Sequence, residues 1–191
     1  MSIEKQKKSF PTKRLVVDAV LIALYVVLGF WKIPIGNLFR ISPASFAVIL
    51  CAMIFGPVDG LIVGFMGEFL SQILGPYGLT QTTLLWCLGE GVRGLSLGLC
   101  VLPLKKRIAG KPVLAPGMMA MLLVCLVLTS VLASLCNTLA LYVDSKLFGY
   151  YNFYMVFGVL LGRLAINGVM SVLLGYIALP IIRALQKTKL I

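Results

Sequence analysis

Residues 112–143 read PVLAPGMMAMLLVCLVLTSVLASLCNTLALYV, an uncharged run bounded by Lys111 and Asp144. A helix rises about 1.5 Å per residue, so crossing a hydrocarbon core about 30 Å thick takes about 20 mostly apolar residues. This run is long enough to cross with turns to spare. The rest of the chain reads the same way. Of its 191 residues 60% are hydrophobic, the mean hydropathy is +1.04, and only 12% are charged, about half the roughly 25% of a soluble domain. So few charges cannot cover a water-facing surface.

Working outward from this run, five further apolar segments appear. The first is expected from Leu15 to about Trp31, with Asp18 in its first turn, where a carboxylate suits a helix N-terminus and lies near Lys13 and Arg14. The second, from Pro43 to Phe55, is short and is ended by Gly56-Pro57. The third runs from Val58 to Leu74, before the turn-rich Gly75-Pro76-Tyr77-Gly78. The fourth covers Thr82 to Leu104, the fifth lies in the opening run, and the sixth covers Met155 to Ile182. The expectation is an all-α integral membrane protein of six transmembrane helices. It forms one membrane domain, residues 1–191, with a basic segment at 1–14 and a basic tail at 183–191.

Charge gives the orientation. The formal net charge is +11, from 17 Lys and Arg against 6 Asp and Glu. With six spans, one side collects Lys5, Lys7, Lys8, Lys13, Arg14, Lys105, Lys106, Arg107, Lys111, Arg183, Lys187 and Lys189. The opposite loops hold Lys32, Arg40 and Lys146. The positive-inside rule therefore places both termini in the cytoplasm of a multi-pass cell-membrane protein. Nucleic acid is not an expected partner, since these cations lie in short loops between apolar runs.

The informative residues are those a bilayer rejects. A charge at a helix centre costs about 2.5–3.5 kcal/mol on insertion scales, yet Glu68, Glu90, Arg93 and Arg163 all fall inside spans. Ser71, Gln72, Ser134, Asn137, Thr138 and Asn167 accompany them. Glu68 and Gln72 are i,i+4, Glu90 and Arg93 i,i+3, and Arg163 and Asn167 i,i+4, so each pair shares a helix face. Counted from the outer ends, Glu68, Glu90, Asn137 and Arg163 all lie roughly 10–12 Å deep. The arrangement implies a polar cavity open to the outside rather than a pore. Its candidate ligand-binding residues are Arg163, Asn137, Glu68, Gln72, Glu90 and Arg93, with Lys32 and Arg40 at the mouth. Glu90–Arg93 and Glu68–Arg163 have an alternative role as ion pairs that hold helices together.

Small residues run in stripes: Gly60, Gly64, Gly67 and Ser71 in the third span, Gly91, Gly94 and Gly98 in the fourth, Ala19 and Ala23 in the first. Small-xxx-small spacing lets helices approach closely. Histidine is absent, the five cysteines form no C-x-x-C pair, and there is no G-x-x-x-x-G-K-[ST] phosphate loop. These absences leave no histidine-based catalysis, no metal or other cofactor, and no ATP hydrolysis by the chain itself. The chain reads as a non-enzyme.

Taken together, the Ala19-x-x-x-Ala23 motif, Phe55-Gly56-Pro57-x-x-Gly60, Gly67-Glu68, Leu135-x-Asn137-Thr138-Leu139 and Arg163 in six short spans resemble the substrate-binding (S) components of energy-coupling factor (ECF) vitamin transporters, the folate-type family above all. That family commonly has Asp where Glu68 stands. It has Pro-Gly-Phe-Thr-Leu-Ser where this chain has Gly78-Leu79-Thr80-Gln81-Thr82-Thr83. The resemblance implies an importer subunit that binds a small anionic water-soluble vitamin from outside, folate first and pantothenate second. It also implies that Ala19 and Ala23 dock on a transmembrane coupling protein (the T component), which works with two ATPase subunits. The alternatives are a stand-alone channel or secondary transporter, or an S component for pyridoxine or hydroxymethylpyrimidine.

Overall fold

The computed structural model describes residues 12–31, 33–35, 39–76, 78–108 and 116–187. Six helices carry the fold: α1 (Thr12–Phe30), α2 (Ser45–Ile54), α3 (Pro57–Ile73), α4 (Thr83–Ile108), α5 (Pro116–Leu147) and α6 (Leu160–Lys187). A two-stranded antiparallel hairpin, β1 (Ile33–Ile35) and β2 (Phe39–Ile41), joins α1 to α2, with Pro34 opposite Arg40. One end of the bundle holds the start of α1, the α2–α3 turn, the end of α4, the start of α5 and the end of α6. The other holds the hairpin, the α3–α4 loop and the α5–α6 connection.

The expected spans correspond to these helices, with three differences. α1 begins at Thr12, three residues earlier than read, so Asp18 lies in its second turn and not its first. Asp18 is buried against Cys51, while Arg14 reaches past it to pair with the fully buried Asp59 in the first turn of α3. The third difference is that the sixth span is broken. Tyr154–Gly158 forms a π-helical turn before α6 starts. Val159 N–H donates to Phe157 O rather than to the carbonyl four residues back, and Gly158 leaves the space that the Tyr154 ring occupies.

Three helical stretches are long and apolar enough to cross a membrane by themselves: Thr83–Pro103, Gly117–Leu147 and Tyr154–Ile182. α2, with 10 residues, spans only about 15 Å. It survives because it lies at the centre of the bundle: every residue from Ala47 to Ile54 is buried, and α1, α3, α4 and α6 all pack on it. In lipid an abbreviated helix leaves backbone groups unsatisfied, so such segments occur only inside protein. Gly56, at φ 112°, then reverses the chain, and Pro57 opens α3 at a position where its missing N–H costs nothing.

The tightest contact joins α3 to α4. A methyl built on Gly94 would lie 2.0 Å from the Gly60 carbonyl oxygen, and one on Gly64 2.4 Å from the Glu90 carbonyl oxygen. Backbone therefore meets backbone, as the glycine stripes imply. Below this contact the bundle is filled by Leu21, Ile49, Met53, Val63, Leu97, Leu122, Leu126 and Leu179, so one half is packed solid and the other half is free to hold a cavity.

Gly94→Ala is expected to destabilise the protein by about 1–3 kcal/mol through overpacking, despite the roughly 1 kcal/mol that alanine gains over glycine in a helix. Gly117→Ala, with nothing within 4 Å of the added methyl, should leave stability unchanged or slightly raised. Thermal melting in detergent compares them; equal shifts would show that the α3–α4 contact is not tight.

Candidate functional site

At the hairpin end of the bundle all six helices line one cavity of about 520 Å³, within the usual size for a small-molecule site. α1 gives Tyr25 and Gly29, the start of α2 gives Ser45, and α3 gives Glu68 and Ser71. α4 gives Trp86, Glu90 and Arg93, α5 gives Asn137 and Leu141, and the α6 side gives Met155, Arg163, Ile166 and Asn167. The structure thus brings together Glu68, Glu90, Arg93, Asn137 and Arg163. Gln72 is not on the wall but stands behind it, donating from Nε2 to Glu68 at 2.8 Å. Lys32 and the side chain of Arg40 lie outside the described residues.

Each charge has its own support. Glu68 accepts from the Tyr25 hydroxyl at 2.6 Å as well as from Gln72. Tyr25 reaches it because Gly67 has no side chain: a methyl there would fall 2.7 Å from the ring. On the cavity floor Glu90 and Arg93 approach to 3.2 Å. Glu90 Oε1 accepts from Ser45 Oγ at 3.2 Å, and Arg93 Nη1 donates to Ser171 Oγ at 3.1 Å, so the pair ties α4 to α2 and α6. Their facing atoms, Glu90 Oε2 and Arg93 Nε, are close but not aligned for a hydrogen bond. The contact is therefore an electrostatic pair and not a bidentate clasp.

Arg163 is held differently. Its Nη2 donates to the carbonyl of Met155, in the π-helical turn before α6. It forms no ion pair among the described residues, and it lines the cavity. One turn on, Asn167 Nδ2 donates to Ser134 Oγ at 2.8 Å, tying α6 to α5. Asn137 lines the cavity with no side-chain hydrogen bond to a described residue.

Hydrogen bonds to Asp144 tie the end of α5 to the loop before α4 and to the α5–α6 connection. Thr82 and Tyr150 both donate to Asp144. Burial, and then the bond to Asp144, push the Tyr150 phenol up to about 12. Beside it Lys146 Nζ lies 4.1 Å from the Tyr151 ring centroid, and Tyr142 and Tyr151 meet edge to face at 5.7 Å.

A six-helix bundle, a short buried α2, and a cavity built at one end from every helix form a distinctive set. Residues 9–187 match the family model described as "ECF-type riboflavin transporter, S component". The chain belongs to this family. S components are transporter subunits that bind substrate, not enzymes, and they work in the membrane with a T component and ATPases. The resemblance seen in the sequence is thus borne out at the level of the S component. The fold is also that of a bacterial ECF transporter S component, with a TM-score of 0.62 at 20% identity over 93% of this chain and 97% of that one. An S component for biotin gives 0.61 at 17% identity over 98% and 95%, and FolT bound with folic acid gives 0.60 at 20% identity over 90% and 98%. Among curated relatives, a UPF0397 protein of Vibrio atlanticus (strain LGP32) is 31% identical over 102 residues, 52% of this chain and 54% of the relative. One of Streptococcus pneumoniae (strain CGSP14) is 36% identical over 91 residues, 47% and 48%. The chain spans about half the length of the curated relatives it matches.

Tyr25, Trp86, Ser45 and Ser171 are site residues that the sequence reading missed. Trp86 was accessible to it, since Trp86, Glu90 and Arg93 lie on one helical stripe. Tyr25 and the two serines act across helices and leave no signal in spacing.

Removing one partner of a buried ion pair strands the other charge, at a cost of about 3–5 kcal/mol. Glu90→Ala should therefore lower the melting temperature sharply, and adding Arg93→Met should restore most of the loss. Unaltered melting in Glu90→Ala would contradict the structural role of the pair.

Proposed function

We propose that this S component captures a small anionic water-soluble vitamin from the outside of the cell, folate first and pantothenate second, with both termini in the cytoplasm. The observation that carries the reading is Arg163: a half-buried guanidinium anchored by one backbone carbonyl, on the wall of a vitamin-sized cavity. A guanidinium grips a carboxylate with two parallel hydrogen bonds, which an ammonium cannot reproduce. The folate-bound neighbour and the S component for biotin share the fold alike, so the first choice rests on Arg163 and on the sequence resemblance. The name of the matching family favours a second reading, riboflavin, whose uncharged ring would rest on Trp86 and be read by Asn137. Identification by mass spectrometry of the small molecule retained by the purified protein decides between them.

The coupling partners follow from α1. Ala19 and Ala23 are exposed, and Leu15, Val16, Val20 and Val27 beside them are 65%, 56%, 61% and 60% exposed. This flat face is the proposed seat of the T component, which carries the two ATPase subunits. A cavity at one end above a solid half requires the substrate to be released by movement of the whole subunit rather than through a pore.

Loss of a charge-assisted hydrogen bond costs about 1.5–3 kcal/mol. Arg163→Lys should thus weaken binding of an anionic vitamin by about tenfold to more than a hundredfold, by calorimetric titration, with normal melting. A well-folded variant with unchanged affinity for that vitamin would sink the assignment of Arg163.

Replacing both Ala19 and Ala23 with Leu should abolish vitamin uptake by cells expressing the whole transporter, while the purified subunit binds as before. Unimpaired uptake would mean that this face meets only lipid.

A further inference from the structure

We propose that Gly89 is a positioning residue for ligand binding: its bare Cα is the seat that holds the Asn137 amide toward the cavity. The proposal rests on the S-component reading above and extends it to a residue with no polar group of its own.

Gly89 is buried on α4, directly before Glu90. A methyl built there would lie 1.9 Å from Asn137 Oδ1, 2.7 Å from its Cγ and 3.2 Å from its Nδ2. The whole amide of α5 therefore lies over this one Cα. The other close glycines serve different ends. Gly60, Gly64, Gly94 and Gly98 meet backbone and set how helices pack, while Gly67, Gly158 and Gly175 meet rings or a leucine. At Gly89, alone among the described glycines, the group closer than 3 Å is the polar end of a cavity-lining side chain.

What that amide is for follows from its bonds. A carboxamide carries two N–H donors and a carbonyl acceptor. Asn167, on the same α5–α6 wall, spends Nδ2 on Ser134. Asn137 has no side-chain hydrogen bond to any described residue, although it is half buried and lines the cavity. Polar groups withdrawn from water are normally satisfied, so an amide pinned in place with its capacity unspent is placed for a group that arrives with the ligand. The pin matters because a free Asn side chain samples several rotamers, and the one that lines the cavity here lies over Gly89. A methyl at residue 89 would force it into the space the ligand needs.

The test is a double-mutant cycle on the purified subunit, stripped of ligand, titrated with folic acid, pantothenate and riboflavin. The cycle uses whichever of these binds the unaltered protein. Gly89→Ala should weaken binding at least about tenfold and Asn137→Ala by a similar factor, each being the loss of a hydrogen bond in a buried site. Gly89→Ala with Asn137→Ala should bind no worse than Asn137→Ala alone, to within about twofold, because the methyl no longer has an amide to displace. Losses that multiply to about a hundredfold, or a Gly89→Ala protein with full affinity, overturn the proposal and leave the vitamin reading intact. If Gly89→Ala fails to insert, insertion of the double variant supports the seat, and its failure as well overturns it. If none of the three probes binds the unaltered protein, the vitamin reading falls, and this proposal with it.

Discussion

The approach of α3 to α4 at Gly60–Gly94 and Gly64–Glu90 is the contact on which the site depends. Lipid offers no hydrophobic drive for helix association, so close packing must supply it, and backbone contact is the closest packing available. Because Gly64 rests on the backbone of Glu90 itself, the contact also sets the height of that carboxylate. Glu68 lies one turn beyond Gly64, and so the two acids are brought to the same cavity. A side chain at Gly64 would wedge the helices apart where the cavity floor begins.

The short α2 follows from the same division of the bundle. Its residues 47–54 fill the packed half, and the helix starts only at Ser45, whose hydroxyl already belongs to the cavity floor. A full-length helix in that central place would occupy the cavity. The floor is then a layer of three tied helices, α2 through Ser45, α4 through Glu90 and Arg93, and α6 through Ser171. Above it lies the cavity, with Glu68, Asn137 and Arg163 on its wall, and below it the filling is mostly apolar, Asp18 and the Arg14–Asp59 pair apart.

The helices, the glycine stripes and the meeting of Glu68, Glu90, Asn137 and Arg163 at one cavity were legible because they follow from properties of single helices. Hydropathy reports length, and spacing reports which residues share a face. What was not legible depends on pairs of helices. Tyr25 looks like one more apolar residue of α1 until Gly67 is seen beneath its ring. Arg14 has Asp18 four residues away on its own helix, yet pairs with Asp59, because the reversal at Gly56 brings the start of α3 beside α1. The break before α6 was hidden for another reason: residues 154–158 are as apolar as a helix requires, and only the hydrogen-bond pattern departs. Arg163 lines the cavity with the other polar groups, but its anchor, the Met155 carbonyl, lies in that π-helical turn.

The charges of the cavity do not play equivalent parts, although they balance in number. Glu68 accepts from Tyr25 and Gln72, and Glu90 accepts from Ser45 beside Arg93. Both acids thus have oxygens committed to the protein's own groups. Arg93 is committed as well, to Glu90 and Ser171. Arg163 gives one donor to a neutral carbonyl, and an uncompensated guanidinium in a low-dielectric site is unfavourable unless an acceptor arrives. On the function proposed above, this unequal use of donors and acceptors biases the cavity toward an anion or a carbonyl-rich ring, and such a ligand would complete a charge arrangement that the described residues leave open. This bias needs no net charge in the lining, only an unequal use of hydrogen bonds, and this is why counting charges in the sequence could locate the site without settling the chemistry of its ligand.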